Sequence, residues 1–248
     1  MGFVTGWPVR AADVDPANRL RLDGVARYLQ DIAWENLQAT FFAETDPWWI
    51  VRRTVVDVVH PVAWPATVRL RRWCSGLSTR WTNMRVQVTD ENDGLIETEG
   101  FWINVSKESG MPTRISDEGL AYLSQSTDQH RLRWRSWLTE PPPPPSAFDV
   151  HFPLRATDID QFEHVNNAVY WQGVEHFLRD HPDLLTEGHR AVIEYHAPVT
   201  AGQDMVVRGR FDEGTGLSLW FLVGDTVSTA ARIGPLPISA QPTPTLSS

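Results

Sequence analysis

A short segment near residue 160 gathers side chains suited to acid–base chemistry. It contains two aspartates, Asp158 and Asp160, a histidine, His164, and the neighbouring amides Asn166 and Asn167. An aspartate held partly away from water can act as a general base or as a nucleophile toward an acyl carbon. A histidine four residues later can orient that base or polarise a carbonyl group. The segment is therefore a candidate catalytic loop.

The residues that follow predict a helix that would position this loop. Apolar residues recur at helical spacing, which indicates one buried face. These residues are Tyr170, Val174, Phe177 and Leu178. The first N–H groups of a helix lack partners within it and carry partial positive charge, so they can stabilise an oxyanion. We expect Asn166 and Asn167 to cap this helix and fix the loop. The alternative is a loop that only caps a helix beside a surface histidine.

A second copy of this design lies 145 residues earlier in the chain. The segments 8–15 and 153–160 are identical at five of eight positions. Leu22, Val25, Leu29 and Ile32 then repeat the helical spacing. The first copy has Arg19 at the position of His164. An internal repeat of this kind predicts two similar structural units, and the missing histidine predicts one site, not two.

Strands are predicted after each helix, because branched and aromatic residues cluster there. The predicted ranges are 50–59, 67–74, 81–89 and 95–105 in the first half, and 191–196, 205–211, 217–223 and 226–233 in the second. One helix on a curled antiparallel sheet leaves a sheet edge open, and pairing two copies closes it. We therefore predict an α+β fold with two helices packed against one extended antiparallel sheet of ten or so strands.

The domain boundaries follow from composition. Five consecutive prolines, 141–145, cannot donate ladder hydrogen bonds and predict an extended spacer. We predict an N-terminal half at 1–140, a proline-rich linker at 141–147, a C-terminal half carrying the site at 148–235, and a tail at 236–248 rich in Pro, Ser and Thr.

Composition excludes several classes of protein. The formal net charge of −9 argues against a nucleic-acid binder, which needs a basic surface. The chain lacks an apolar stretch of bilayer-spanning length and an export signal, so we expect a cytoplasmic protein without membrane insertion. The single cysteine, Cys74, excludes an internal disulfide and a multi-cysteine metal site, and we interpret it as a packing residue.

Residues 158–170, Asp-Ile-Asp-Gln-Phe-Glu-His-Val-Asn-Asn-Ala-Val-Tyr, resemble an element of the plant and bacterial acyl-ACP thioesterases. Those hotdog proteins carry Asp-x-Asp-x-Asn-x-His-Val-Asn-Asn-x-x-Tyr. Residues 73–76, 101–105 and 111–115 are similar to other parts of the same family. The resemblance implies a tandem, or double, hotdog fold and hydrolysis of a fatty acyl group carried on phosphopantetheine. It implies that Asp160 and His164 are catalytic, with no metal and no organic cofactor.

Two departures separate this chain from the plant enzymes. Phe162 stands where the family has its Asn, and Pro198-Val199 stands where the plant enzymes have a Glu-Cys pair. None of these replacements can act as an acid, a base or a nucleophile. The remaining pattern is closer to 4-hydroxybenzoyl-CoA-type thioesterases, in which one aspartate does the central work. Asp160 corresponds to that aspartate, as base or nucleophile.

Supporting residues are predicted around this pair. The substrate-binding or supporting set is Phe162, Asn166, Asn167, Glu194 and His196. Glu194 and His196 share one face of a strand expected to pass near the helix entrance, although a purely structural role is favoured for strand residues of this type. Glu175 and His176 lie on the second helix, and a helical carboxylate serves in some hotdog enzymes; here a structural role is favoured.

The expected partner is acyl carrier protein, or CoA, in fatty acid biosynthesis and lipid metabolism. Carrier protein is acidic like this chain, so a local basic patch would have to steer it. Candidate patches are Arg69 with Arg71 and Arg72, Arg52 with Arg53, and the basic residues of 130–135; each is equally well explained as a solvated face. A non-catalytic acyl-thioester-binding protein and a hotdog hydratase or dehydratase are the alternative functions. The acyl chain length, the choice of carrier, and a monomer or a homodimer stay open.

Overall fold

A computed structural model describes residues 2–145, 149–185, 188–212 and 216–240. The helices are α1 (Leu22–Gln38), α2 (Phe42–Thr45), α3 (Asp117–Ser124) and α4 (Asn167–Leu178). The first-half strands are β1 (Phe3–Pro8), β2 (Trp49–His60), β3 (Thr67–Leu77), β4 (Trp81–Thr89) and β5 (Leu95–Asn104). The second-half strands are β6 (Asp149–Phe152), β7 (His189–Tyr195), β8 (Met205–Asp212), β9 (Gly216–Val223) and β10 (Thr226–Pro235).

The described strands form one ten-stranded antiparallel sheet. Its order is β1-β3-β4-β5-β2-β7-β10-β9-β8-β6, so the second half repeats the first in mirror order. The halves meet where β2 pairs with β7, with Arg53 opposite Glu194. Each half thereby closes the open edge of the other, as the repeat predicted.

Helices α1 and α4 pack together on one face of this sheet and enclose the main core. Val25 and Ile32 of α1 and Trp171 and Val174 of α4 are almost fully buried there. Burying each such side chain contributes about 1.5–3 kcal/mol. The α4 N-terminus, which carries the candidate loop, is therefore fixed by packing on both sides.

Two short edge strands were not predicted. β1 pairs with β3, and β6 pairs with β8, at the two ends of the sheet. Both lie close to a proline, Pro8 and Pro153, that begins a copy of the repeat. Edge strands tolerate proline because one side of their backbone faces solvent, and strands this short carry too little pattern to read.

The segment 128–140 crosses the sheet face opposite the helices and joins the two halves. The Trp81 indole N–H donates to Leu132 O in the first half at 2.9 Å. The Trp220 indole N–H donates to Glu140 O in the second half at 3.0 Å. The proline run that follows contains no helix or strand, as expected of a spacer. The domain boundaries themselves stay a prediction. Within the described ranges, no helix is long and apolar enough to cross a membrane.

Candidate active site

The second-half loop, residues 158–167, is a tight turn closed by its own backbone. The Asp160 N–H donates to His164 O at 2.8 Å, and the Glu163 N–H donates to Asp160 O at 3.0 Å. Glu163 adopts a left-handed φ of 61°, which reverses the chain between them. The loop therefore brings the backbones of Asp160 and His164 together.

Both predicted catalytic side chains are partly buried. Asp160 Oδ1 accepts the Phe162 N–H at 2.9 Å, which fixes the carboxylate within the turn. Burial, above all, raises the pKa of the nearby Tyr170 to about 12, and the charge of Asp160 adds to this rise. The phenol thus stays protonated at neutral pH. Among the described residues, no hydrogen bond or ion pair joins the side chains of Asp160 and His164; catalytic hydrogen bonds often tighten only when substrate is bound.

The N-terminus of α4 offers an unused backbone donor. The Asn166 side chain caps the helix by accepting the Ala168 N–H at 2.9 Å, and the Val169 N–H donates to Asn166 O at 2.9 Å. Within the described part of the chain, the Asn167 N–H has no acceptor. An unpaired amide at the positive end of a helix is suited to bind an anionic oxygen.

Gln30 of α1 reaches this site from the first half, and the sequence did not identify it. Its amide N–H donates to Asn166 Oδ1 at 3.0 Å, and the Asn166 amide N–H donates to Gln30 Oε1 at 3.3 Å. The signal was present in the repeat, because Gln30 lies 145 positions before Glu175. Only the packing of α1 against α4 shows that these positions face the loop of the other half.

A narrow cavity of about 30 Å³ begins beside this helix end. Fourteen described residues line it, and eleven of them belong to the first half. The three from the second half are Asn167, Trp171 and Tyr195. The first-half residues that line it belong to α1 and to strands β2, β3, β4 and β5. It is mostly apolar, and it accommodates an acyl chain only if flexible side chains such as Met84 and Leu29 move aside.

The first-half loop, residues 13–22, has the same backbone path. The Asp15 N–H donates to Arg19 O at 3.0 Å, and the Asn18 N–H donates to Asp15 O at 2.9 Å, with Asn18 at φ 63°. Here Glu175 of α4 fills the site. Its carboxylate accepts the Leu22 N–H at 2.6 Å and the Arg19 guanidinium at 2.7 Å. The equivalents of these two donors in the second-half loop are the Asn167 N–H and His164.

Phe162 does not point into the loop. It is 47% exposed, and its ring lies against Trp48 of the first half with centroids 5.2 Å apart. The residues that replace the Glu-Cys pair still hold the loop through their backbone, because Val199 O accepts the Val165 N–H at 2.8 Å.

Glu194 and His196 are not brought to this loop by any described contact. Glu194 is fully buried on the opposite face of the sheet, where it pairs with Arg53 at 3.2 Å. It also accepts the backbone N–H groups of residues 137 and 138 and the Ser136 hydroxyl. Burial lowers the pKa of His196, against the opposing effect of the Glu194 charge, and the charge of Arg52 adds a smaller lowering. The contacts of Glu194 are those of a structural residue that joins the sheet to the crossing segment.

The predicted basic patches contain both interior and exposed arginines. Arg53 is buried in its pair with Glu194, and Arg72 lines the cavity. Neither can steer a partner at the surface. Arg69, Arg71 and the arginines of the crossing segment are exposed.

Family models match most of the chain. The acyl-ACP thioesterase N-terminal domain matches residues 2–123, and the acyl-ACP thioesterase C-terminal domain matches residues 144–218. The chain belongs to the acyl-ACP thioesterase family, which supports thioester hydrolysis as its reaction. Two uncharacterized proteins, from two strains of Mycobacterium tuberculosis, are each 45% identical over 231 residues, covering 93% of this chain and 91% of theirs.

Solved structures show the same fold at low sequence identity. An acyl-ACP thioesterase from Bacteroides thetaiotaomicron is 14% identical with a TM-score of 0.77, covering 94% of this chain and 97% of its own. The 12:0-ACP thioesterase from Umbellularia californica is 18% identical with a TM-score of 0.70, covering 94% and 96%. A putative oleoyl thioesterase from Lactobacillus plantarum is 17% identical with a TM-score of 0.75, covering 96% and 97%. The tandem hotdog fold predicted from sequence is confirmed.

Proposed function

We propose that this protein hydrolyses fatty acyl thioesters of acyl carrier protein, with Asp160 as base or nucleophile. The observation that carries the proposal is the carboxylate of Glu175 in the first-half loop. It is held by the Leu22 N–H and by Arg19, so the repeated frame of loop and helix binds an anionic oxygen. In the second-half loop the equivalent positions carry a free N–H and a histidine, with Asp160 beside them.

The reaction follows from this arrangement. The thioester carbonyl oxygen lies at the Asn167 N–H, with His164 as the second polarising group, and the acyl chain extends into the cavity. Asp160 takes a proton from a water molecule as that water attacks the carbonyl carbon. The carbon–sulfur bond then breaks, and the thiolate takes up the proton that Asp160 holds. In the nucleophilic alternative Asp160 attacks the carbonyl carbon, the carbon–sulfur bond breaks and the thiolate leaves, which gives a mixed anhydride. Water then hydrolyses this anhydride, frees Asp160 and supplies the proton that converts the thiolate to the thiol.

Carrier protein is the proposed substrate carrier, because the family acts on it, and CoA is the alternative. A protein with a formal net charge of −9 needs exposed cations to meet an acidic carrier. Arg69 and Arg71 lie exposed on β3, and Arg131, Arg133 and Arg135 are exposed on the crossing segment. We assign the reaction to fatty acid biosynthesis in the cytoplasm.

Thiol release from acyl-ACP and acyl-CoA of several chain lengths tests the proposal. We expect turnover with the purified protein and a loss of at least about 100-fold in Asp160→Asn, as for removal of a central catalytic group. Asp15→Asn is the matched control, because Asp15 occupies the same position in the first-half loop; it should retain activity. Equal rates for Asp160→Asn and the unchanged protein would exclude Asp160 as the catalytic group.

A non-catalytic acyl-thioester-binding protein is the second candidate. It is favoured by Phe162 and Pro198-Val199 at positions where the plant enzymes have reactive side chains. It predicts saturable binding of acyl thioesters without thiol release at any chain length. The same substrate series, measured by binding and by release, separates the two functions.

A further inference from the structure

The far end of the cavity carries a charged side chain that the proposed reaction does not use. Arg72 lies on β3 in the stripe of Val68, Leu70 and Cys74, which faces the helices. Arg72 lines the same small cavity as Tyr195 of β7. The two strands are separated by four strand spacings, or about 19 Å along the sheet. Arg72 is therefore remote from the reacting carbonyl.

The guanidinium of Arg72 is incompletely paired. One N–H donates to Asn36 Oδ1 at 2.6 Å, and Arg72 makes no ion pair with any carboxylate of the described residues. Burial lowers the pKa of Arg72 to about 10, so it is still charged at neutral pH. By contrast, the interior Arg19 and Arg53 each face a carboxylate. Arg72 is partly buried, and a partly buried charge without a counter-ion is costly, which favours a partner for it.

Capping of α1 does not explain this arginine. Asn36 and Leu37 lie in the last turn of α1, where a cation can bind free carbonyl groups. The Asn36 carbonyl already accepts the Thr40 hydroxyl at 2.9 Å, and the Glu35 carbonyl accepts the Ala39 N–H at 2.9 Å. Arg72 contacts the Asn36 side chain instead, which leaves other donors of its planar fork for a ligand in the cavity.

We propose that Arg72 binds a carboxylate at the distal end of the acyl chain. The preferred substrate class is then the half-thioester of a long-chain dicarboxylic acid. This inference rests on the proposed function and specifies its substrate. A terminal methyl group would leave the guanidinium N–H groups unpaired, whereas a carboxylate accepts two of them in parallel and supplies the missing counter-charge. The hydrolysis itself is unchanged, and Arg72 selects the chain rather than taking part in bond cleavage.

The test compares two thioesters of equal chain length on the same carrier, one ending in methyl and one in carboxylate. For the unchanged protein we expect kcat/KM to favour the carboxylate by about tenfold or more, as for a charge-assisted hydrogen bond. Arg72→Met should reverse the preference. Arg72→Lys, which keeps the charge without the fork, should retain part of it. Arg80→Met, at the exposed turn that follows β3, should leave it unchanged.

Two outcomes overturn the inference without touching the proposed function. One is equal or better cleavage of the methyl-ended substrate by the unchanged protein; the other is an unaltered preference in Arg72→Met. Thiol release from neither substrate contradicts the proposed function instead. In that case, calorimetry measures binding of the free dicarboxylic acid to the Asp160→Asn variant as a separate experiment. The inference requires that adding Arg72→Met weakens this binding about tenfold, and unchanged binding contradicts it.

Discussion

The two loops of the repeat share a backbone and differ in what occupies them. Each turns through a left-handed residue, Asn18 or Glu163, and leads into a helix on the same face of the sheet. In the first-half loop the protein's own Glu175 satisfies the helix amide and the cation. In the second-half loop Gln30 turns to the capping Asn166 and leaves the next amide free. The first-half loop is therefore a filled loop, occupied by the Glu175 carboxylate. The second-half loop is an open loop, whose Asn167 N–H has no acceptor among the described residues.

The filled loop contributes to the stability of the protein, whereas the open loop is assigned the chemistry. The filled loop joins the halves through an ion pair whose two side chains are only 13% and 10% exposed. The open loop gives up that stabilisation, because His164 has no carboxylate opposite it in the described structure. A polar site left unpaired in this way is typical of functional positions, where local rules of stability are broken.

The largest effect is expected when the open loop is filled. The double change His164→Arg with Gln30→Glu recreates the first-half pair, so its carboxylate should occupy the oxyanion position. We expect kcat/KM to fall by about 100- to 1,000-fold, the range for loss of an oxyanion site, while the folded protein stays intact by thermal melting. Undiminished hydrolysis would contradict the assignment of the oxyanion site to the second-half loop.

The next effect is a loss of stability when the filled loop is opened. Arg19→Ala leaves Glu175 buried beside Asp15 without its cation, and we expect a loss of about 3 kcal/mol in the free energy of unfolding. Urea denaturation measures this. Hydrolysis per folded molecule should stay unchanged, because the chemistry is assigned to the other loop; a matching fall in kcat would show that both loops act in the reaction.

A smaller, pH-dependent effect is expected at Glu194, remote from both loops. Hydrogen bonds to Ser136 and to backbone N–H groups lower the pKa of Glu194 below its usual 4.5, against the effect of burial. Its stabilisation is therefore present above pH 4.5 and is lost as the pH falls through the lowered folded value. Glu194→Gln should cost about 2 kcal/mol at neutral pH and flatten the acid part of the stability curve. Denaturation midpoints across pH, with the loops unchanged, test this.

The smallest effect is expected at the helix cap. Asn166→Ala removes the acceptor of the Ala168 N–H, which should cost about 1 kcal/mol in unfolding free energy. It also frees Gln30, so the rate of thiol release should fall alongside the stability. A stability loss with an unaltered rate would limit Asn166 to capping, and Asn166→Asp, which keeps the cap acceptor, is the control.

Much of the fold could be predicted from the sequence, because the local patterns of apolar residues agree with the packing of the folded protein. β4 spans 81–89 as predicted, since Met84, Val86 and Val88 alternate with polar neighbours. The edge-to-edge pairing of the two halves followed from the repeat, whereas the two strands that form it, β2 and β7, did not. The edge strands β1 and β6 were missed because they are short and are defined by a neighbouring strand rather than by their own sequence.

Only the part of the candidate site whose residues lie close together in sequence could be predicted. Asp160 and His164 stand in one turn, so spacing alone brings their backbones together. Gln30 and Tyr195 reach the same place through packing of α1 and through the curl of the sheet, which no local pattern encodes. Glu194 was placed by strand alternation on a face that the structure shows to be covered by the crossing segment.

The uneven lining of the cavity has a consequence for how such proteins diversify. Eleven of the fourteen described lining residues belong to the first half, so under the proposed function selection of the acyl chain is assigned to the first half and bond cleavage to the second. A hybrid gene that joins the first half of one relative to the second half of another should therefore inherit its preferences from one parent and its reactivity from the other. The meeting of β2 with β7 is the surface that must stay compatible in such an exchange.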